Sequence, residues 1–411
     1  MSLFGLSKAK TRYGVIIDIG SGSVLASIVH SDPNKLHPDI LWSHREHVPL
    51  KNISSMEQSA KAIMTALVNA SMQLDAEGRK HLYDFDSKAE LGEFQCGISA
   101  PWSYTITKSI NYTQENDFEI TNELIAQLYS AIGDKIKNDI NQDEVLSALG
   151  LKVITRLLMD LTANGYHINQ PEGNRSNTLG ISQGTAVAQQ HLIDAMDEIH
   201  DKLFAKADNR RLSFILMLYT MTKELLNQNY DVCLVDVTYE ATEIGVVRDG
   251  ILTYCTHTPF GSFSLAREIA QIVKIPLHEA FGYLHTEKPF AFLASLNEKQ
   301  KVDVELVFEA YIEKITELFK ETGDSLSIPK RISLHTDIKS EPLFTDLIGK
   351  AVTRNLKTSP IITTISSKII DLCYKDQTEN SSQKNVPPDT ALLLSAQFFH
   401  NKDQYDTYEY F

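Results

Sequence analysis

From Tyr13 to His30 the chain reads as two apolar runs around a polar turn. Val15, Ile16 and Ile17 form a β-branched run suited to a buried strand, Gly20-Ser21-Gly22-Ser23 supplies the turn, and Val24 to Val29 resumes the apolar pattern. A third strand over Ile40 to Val48 completes an antiparallel meander. Ser55 is then the candidate N-cap of a helix that carries Ala60, Ile63, Met64, Leu67 and Met72 on one stripe.

Residues from about Phe94 to Phe204 read as a separate mixed block. Cys96 to Ala100 is a strand closed by Pro101-Trp102, and Tyr104 to Ile110 is extended. Thr121 caps a helix through Ile136, Leu151 to Ile168 is a long strand turning at Asn164-Gly165, Pro171 to Asn177 is a polar loop, and Gln189 to Leu203 is an amphipathic helix. An apolar helix from Leu212 to Leu226 leads into a second meander, Val232 to Val237, Glu243 to Val247 and Ile251 to His257, whose Asp249-Gly250 turn is a hairpin signal. Helices follow at Ser262 to Ile272, Leu277 to Leu284 and Glu298 to Phe319, then a strand at Arg331 to His335 and a helix at Leu343 to Val352. Lys375 to Pro388 is a polar loop, Ala391 to Phe399 a short apolar segment, and the remainder an acidic, tyrosine-rich tail.

The two meanders correspond. With Asp18 placed on Asp236, Ile17 meets Val235, Ile28 meets Val246 and Val29 meets Val247. Each unit is an apolar strand ending in Asp, a short loop and a second apolar strand. Backbone N–H groups in such a turn can cradle a phosphate, and a carboxylate just before it can hold Mg²⁺, usually through water. Two such turns facing one another would grip a triphosphate from both sides. An ordinary pair of hairpins, with Asp favoured at strand ends for its turn-forming side chain, is the competing explanation.

Composition narrows the class. A chain of 411 residues with 43% hydrophobic content can bury a large core, and its net charge of −14 argues against an extended nucleic-acid surface. Cys96, Cys233, Cys255 and Cys373 show neither zinc nor disulfide spacing, as expected of a cytoplasmic protein. Phe214 to Met221 is far below the roughly 20 residues of a bilayer span, and Met1 to Leu6 leads directly into Lys8, Lys10 and Arg12 rather than a secretory core. His44 and His47 flank Glu46 but fall on opposite faces of a strand, which argues against a metal site. Ser21 and Ser23 have no His/Asp partner placed near them by any motif, so neither reads as a nucleophile.

In these features the chain resembles the actin-like ATPase superfamily, and within it the FtsA/PilM group of cell-division and type IV pilus assembly proteins. Asp18-Ile19-Gly20-Ser21-Gly22-Ser23-Val24 is similar to the first phosphate motif, and Leu234-Val235-Asp236-Val237 through Glu243 sits where the second belongs. Thr258-Pro259-Phe260-Gly261 resembles the entry to subdomain 2B, and the block from Phe94 to Phe204 falls where the group carries its inserted subdomain, 1C. The resemblance implies an α/β, duplicated, two-lobed fold of ribonuclease-H-like lobes. Lobe one would be residues 1–95 and 206–230, the insert 96–205, lobe two 231–258 and 326–374, and the helical subdomain 259–325. Residues 375–411 would be a polar loop, an apolar segment returning to lobe one and the acidic tail.

It also implies ATP and Mg²⁺ as cofactors, held by Asp18, Gly20, Ser21, Gly22, Ser23, Asp236, Thr238 and Gly261, with Asp18 and Asp236 as the metal carboxylates. The implied role is an adaptor that organises a membrane-associated assembly. Its insert would dock a filament tail or an inner-membrane pilus protein, with room for self-association. Membrane contact would be indirect, or weak through Leu3, Phe4, Leu6 and the following basic residues, at the inner face of the cell membrane. Departures from the pattern leave at most a weak ATPase. Thr238, Tyr239 and Glu240 stand where the second loop is glycine-rich, Ser333 to Asp337 where a Gly-Gly turn is expected, and Phe281 and Gly282 where Glu and Lys contact the nucleoside. A nucleotide-free pseudo-ATPase scaffold is the second reading and a small-molecule kinase the third, although no motif supplies a kinase's general base.

Overall fold

A computed structural model describes residues 11–49, 56–226, 231–321, 328–371 and 389–401. The Ser55 cap, the residues before Thr11, the loop at 375–388 and the tail from 402 lie outside the described residues.

The chain begins with β1 (Arg12–Ile19), β2 (Ser23–Ser31) and β3 (Asp39–His47), then α1 (Met56–Gln73), α2 (Arg79–Phe85) and β4 (Glu93–Ile98). Next come β5 (Ser103–Glu119), α3 (Asn122–Gln142), α4 (Glu144–Ala148), β6 (Leu151–Ala163), β7 (Tyr166–His167), β8 (Arg175–Gln189) and α5 (Gln190–Leu203). β9 (Asp208–Ser213) and α6 (Phe214–Leu226) lead to β10 (Val232–Val237), β11 (Thr242–Arg248) and β12 (Ile251–Thr258). The rest is α7 (Ser262–Val273), α8 (Leu277–Leu284), α9 (Glu298–Lys320), β13 (Arg331–His335), α10 (Glu341–Leu356), β14 (Ile361–Thr364), α11 (Ile365–Ile369) and α12 (Thr390–His400).

Two five-stranded sheets share one topology. The first runs β3-β2-β1-β4-β9 and the second β12-β11-β10-β13-β14. In each, three strands form an antiparallel meander and two more add parallel to its first strand. Asp18 and Asp236 are each the penultimate residue of that first strand. The third sheet, β5-β8-β6-β7, is inserted between β4 and β9 and packs its own core against Ile125, Tyr129, Ile132 and Ile136 of α3.

Why β1 and β10 read as unbroken apolar runs is clear from their two faces. Val15, Ile17 and Ile19 pack into the core under α1 and α5, while Ile16 meets Ala396 and Phe399 of α12. Cys233 and Val235 pack toward α7 and α9, while Leu234 joins a core shared by α6, α11 and α12. A strand covered on both sides has no polar position to alternate with. The α12 segment is buried along Ala391 to Phe399, and a helix apolar all round belongs in a core.

The structure departs from the sequence reading in several places. β8 is a strand of 15 residues in the interior of the third sheet, where no element was expected between the polar loop and the α5 helix. Ser182, Gln183, Gly184 and Thr185 break any apolar alternation there, although Gln183 and Thr185 are buried and bonded to each other at 2.8 Å. The apolar run from Leu212 begins as the end of β9, and its helix starts only at Phe214. β14, α11 and α2 were also not expected. The Asn164-Gly165 and Asp249-Gly250 turns both have φ above zero at both positions, the geometry that favours these residue pairs in tight hairpins.

Candidate functional site

The two meander turns meet. Gly20 donates its N–H to Ser23 O (3.0 Å), closing the first turn, and Thr238 donates to Ala241 O (2.9 Å), closing the second. Across the crevice the Ser21 hydroxyl donates to Thr238 Oγ1 (2.8 Å) and accepts from the Glu240 backbone N–H (2.8 Å). The Tyr239 ring lies on Gly22, where an added Cβ would fall 2.1 Å from Cδ2. It stacks on Phe263 at 4.7 Å and meets Phe281 edge-on at 5.5 Å. Glu240 turns away and pairs with both terminal nitrogens of Arg267.

Gly261 serves the second turn from behind. A Cβ there would lie 2.4 Å from Thr238 O, and this approach lets Ser262 and Phe263, at the start of α7, donate to Thr238 O (3.1 Å) and Tyr239 O (2.8 Å). The free N–H groups of a helix start are thus used to hold the turn. Gly20 is held from the other side, its carbonyl accepting from Trp102 Nε1 at 3.1 Å.

Asp18 is 3% exposed and its partner is Arg45, at 3.4 Å. Arg45 also donates to Ser23 Oγ (2.9 Å) and makes a two-point pair with Asp389 (2.7 and 3.0 Å). Asp389 in turn accepts from Leu392 N–H (3.0 Å) and so caps α12. Burial pushes the Asp18 carboxyl up to about 6, against the pull of Arg45 and with a further push from Asp389. Burial also works to raise Asp389, but Arg45 beside it and the Leu392 N–H hold it below the usual range.

The second carboxylate stands in a polar row. Asp236 lies opposite Glu243 on β11 and His335 on β13, and Glu243 lies opposite His257 on β12. His335 Nδ1 is 2.7 Å from Asp236 Oδ1, and the His335 ring rests 4.7 Å from Phe214. Burial, then the charge of Asp236, raises the Glu243 carboxyl well above its ordinary value, and burial pushes His257 down to about 4. Among the described residues, Asp18 Oδ1, Asp236 Oδ2, Glu243 Oε2 and His335 Nε2 lack hydrogen-bond partners.

Of the residues singled out in the sequence, Ser21, Gly22 and Thr238 come together at the crevice. Asp18 and Asp236 both sense it, each lying within electrostatic range of the other. Gly20 and Ser23 close the first turn and Gly261 sits behind the second. Arg45, Asp389 and Glu243 were missed as site residues. Arg45 pairs with Leu25 on β2, and Leu25 pairs with Asp18 on β1, so the register that aligns Arg45 with Asp18 runs through two strand pairings and carried no local signal. His44 pairs with Glu46 at 3.2 Å, and no group of three or more potential metal ligands exists among the described residues.

A Mg²⁺-bound triphosphate would need the gap between the turns and free donors facing it. Here the Tyr239 ring and the Ser21 bridge occupy that gap, the Glu240 N–H is spent on Ser21, and the Arg45 guanidinium already occupies the position beside Asp18 that a cation would take. In this arrangement the residues do not fit that ligand.

No known family's sequence profile matches the chain, and no curated protein matches it in sequence. By structure it is similar to a chain of the PilM–PilN type IV pilus biogenesis complex, with a TM-score of 0.54 at 12% identity, over 94% of this chain and 98% of that one. It is also matched by the ethanolamine utilization protein EutJ from Carboxydothermus hydrogenoformans (TM-score 0.41, 12% identity, 96% of this chain and 92% of that chain). A Bacteroides thetaiotaomicron protein with an actin-like ATPase fold gives 0.40 at 12% identity, over 96% and 98% of the two chains. At such identity the likeness is one of fold. The chain has the two-lobed, actin-like ATPase fold, PilM-like in its overall architecture.

Proposed function

We propose that this chain is an actin-fold adaptor, one that organises a membrane-associated assembly of the type IV pilus or cell-division kind by docking a protein partner. The observation that supports this reading most is the likeness, over nearly the whole of both chains, to a component of a pilus biogenesis complex. The inserted third sheet offers a surface for such a partner. It has its own core with α3, and it keeps Tyr166 (78% exposed) and Val153 (40% exposed) in solvent. No described helix is long and apolar enough to cross a membrane. In this reading attachment comes through the partner, or weakly through the N-terminal residues.

ATP and Mg²⁺ find no fitted site in this reading, and a kinase reading gains nothing from the geometry. The direct Ser21–Thr238 contact favours the nucleotide-free scaffold over both. The test is co-purification from the native cell with tagged full-length chain, alongside Tyr166→Ser and Val153→Ser. Loss of the captured partner in these variants, at unchanged melting temperature, supports docking on the insert. Full retention in both removes the insert from the docking role.

A further inference from the structure

The crevice residues do more than obstruct a ligand; they make the contacts a ligand would make. We infer that this chain is self-liganded: Tyr239 and Ser21 hold the two turns together, Arg45 supplies the cationic charge at Asp18, and magnesium-nucleotide does not bind between the lobes.

Three features carry the inference. The first is the closure itself. Ser21 stands on the β1–β2 turn and both of its partners, the Thr238 hydroxyl and the Glu240 N–H, stand on the β10–β11 turn. The Ser21 hydroxyl thus ties the first turn directly to the second. The second is the ring. Tyr239 is backed by Phe263 and Phe281, and its seat on Gly22 is close enough that only glycine fits beneath it. For a phosphate chain to enter, this ring must leave an aromatic cluster and cross into solvent.

The third feature is charge. Asp18 is buried, and a buried carboxylate requires a compensating charge or a proton. Arg45 provides much of it from β3, reaching across β2, and is held in place by its two-point pair with Asp389 and its bond to Ser23. A divalent cation at Asp18 would have to compete with a guanidinium already tethered there. The same Asp389 caps α12, so the charge at the crevice floor and the seating of the C-terminal helix share one side chain.

This inference goes beyond partner docking, since a self-held crevice could accompany any partner. The test uses full-length protein and thermal unfolding with and without millimolar Mg·ATP and Mg·ADP. The expected result is a wild-type melting temperature that neither ligand moves, because a ligand that binds only the folded state must raise it. A concentration-dependent rise in the wild type overturns the inference. Without ligand, Tyr239→Ala is expected to melt lower and to scatter X-rays with a larger radius of gyration. Wild-type values for both quantities would also overturn it. Should Tyr239→Ala fail to fold, Ser21→Ala removes only the bridging hydroxyl and is read by the same two measurements.

Discussion

Tyr239 rests on the backbone of Gly22, one turn of the first sheet against one turn of the second, with space for a hydrogen but not a methyl group. Gly22→Ala should therefore cost stability through overpacking, by about 1–3 kcal/mol. Tyr239→Ala removes the obstacle, so the double variant should be less destabilised than the sum of the singles, with a coupling on the order of 1 kcal/mol. Urea titrations of the four proteins measure this. Strict additivity would place the ring elsewhere.

Asp18 gives the protein a pH signature. Its carboxyl titrates near 6 in the folded chain against an ordinary value of 3.8, burial being the main cause. The folded state thus holds a proton that the unfolded state has released, and stability falls as pH rises from about 4 to about 6. Above that window the ionised group costs about 3 kcal/mol. Asp18→Asn keeps the shape without the charge, so it should melt higher than wild type at pH 7 and flatten the profile between pH 4 and 6. A variant that melts lower at pH 7, with the wild-type slope intact, would contradict the assignment.

Much of this frame was legible in the chain. The paired meanders and the two Asp residues at matching strand ends follow from local apolar runs, and the Asp249-Gly250 hairpin from a turn that needs positive φ twice. What could not be read was set by distance along the chain. Arg45 sits on a predicted strand with no local sign that it faces Asp18, and Asp389 reaches the same guanidinium from the far end of the sequence. β8 was hidden because Ser182, Gln183, Gly184 and Thr185 interrupt its apolar run, and its buried Leu179, Ile181 and Val187 find their core only against α3, far away in sequence. The departures at Thr238, Tyr239 and Glu240 were visible as residue types. Their arrangement, with Ser21 bonded across and Arg267 answering Glu240, depends on tertiary contacts.

Gly14 provides a second close approach, at the other end of β1. A Cβ there would fall 2.3 Å from the Phe399 ring of α12. Gly14→Ala should push that ring out of its place beside Ile16 and Val29 and loosen the helix, at about 1–3 kcal/mol. Phe399→Leu in the same chain should recover part of the loss. Hydrogen exchange across Thr390–His400 is the direct measure, and unchanged protection in Gly14→Ala would show that the strand and helix yield without consequence.

Arg45 is where the crevice and the C-terminal helix are joined, and its removal should be felt in both. The guanidinium serves Asp18, Ser23 and Asp389 at once, with one-fifth of its side chain exposed. Arg45→Ala leaves two largely buried carboxylates without their common cation, and breaking such a pair from one side costs about 3 kcal/mol. Arg45→Lys keeps the charge but not the planar fork, so it should fall between the two. The Asp18→Asn background should reduce the cost of Arg45→Ala, because one of the stranded charges is already gone. Urea midpoints rank the variants, and hydrogen exchange reports whether α12 opens when Asp389 loses its partner. If Arg45→Ala unfolds at the wild-type midpoint with α12 fully protected, the guanidinium is a bystander and the crevice is balanced by some other charge.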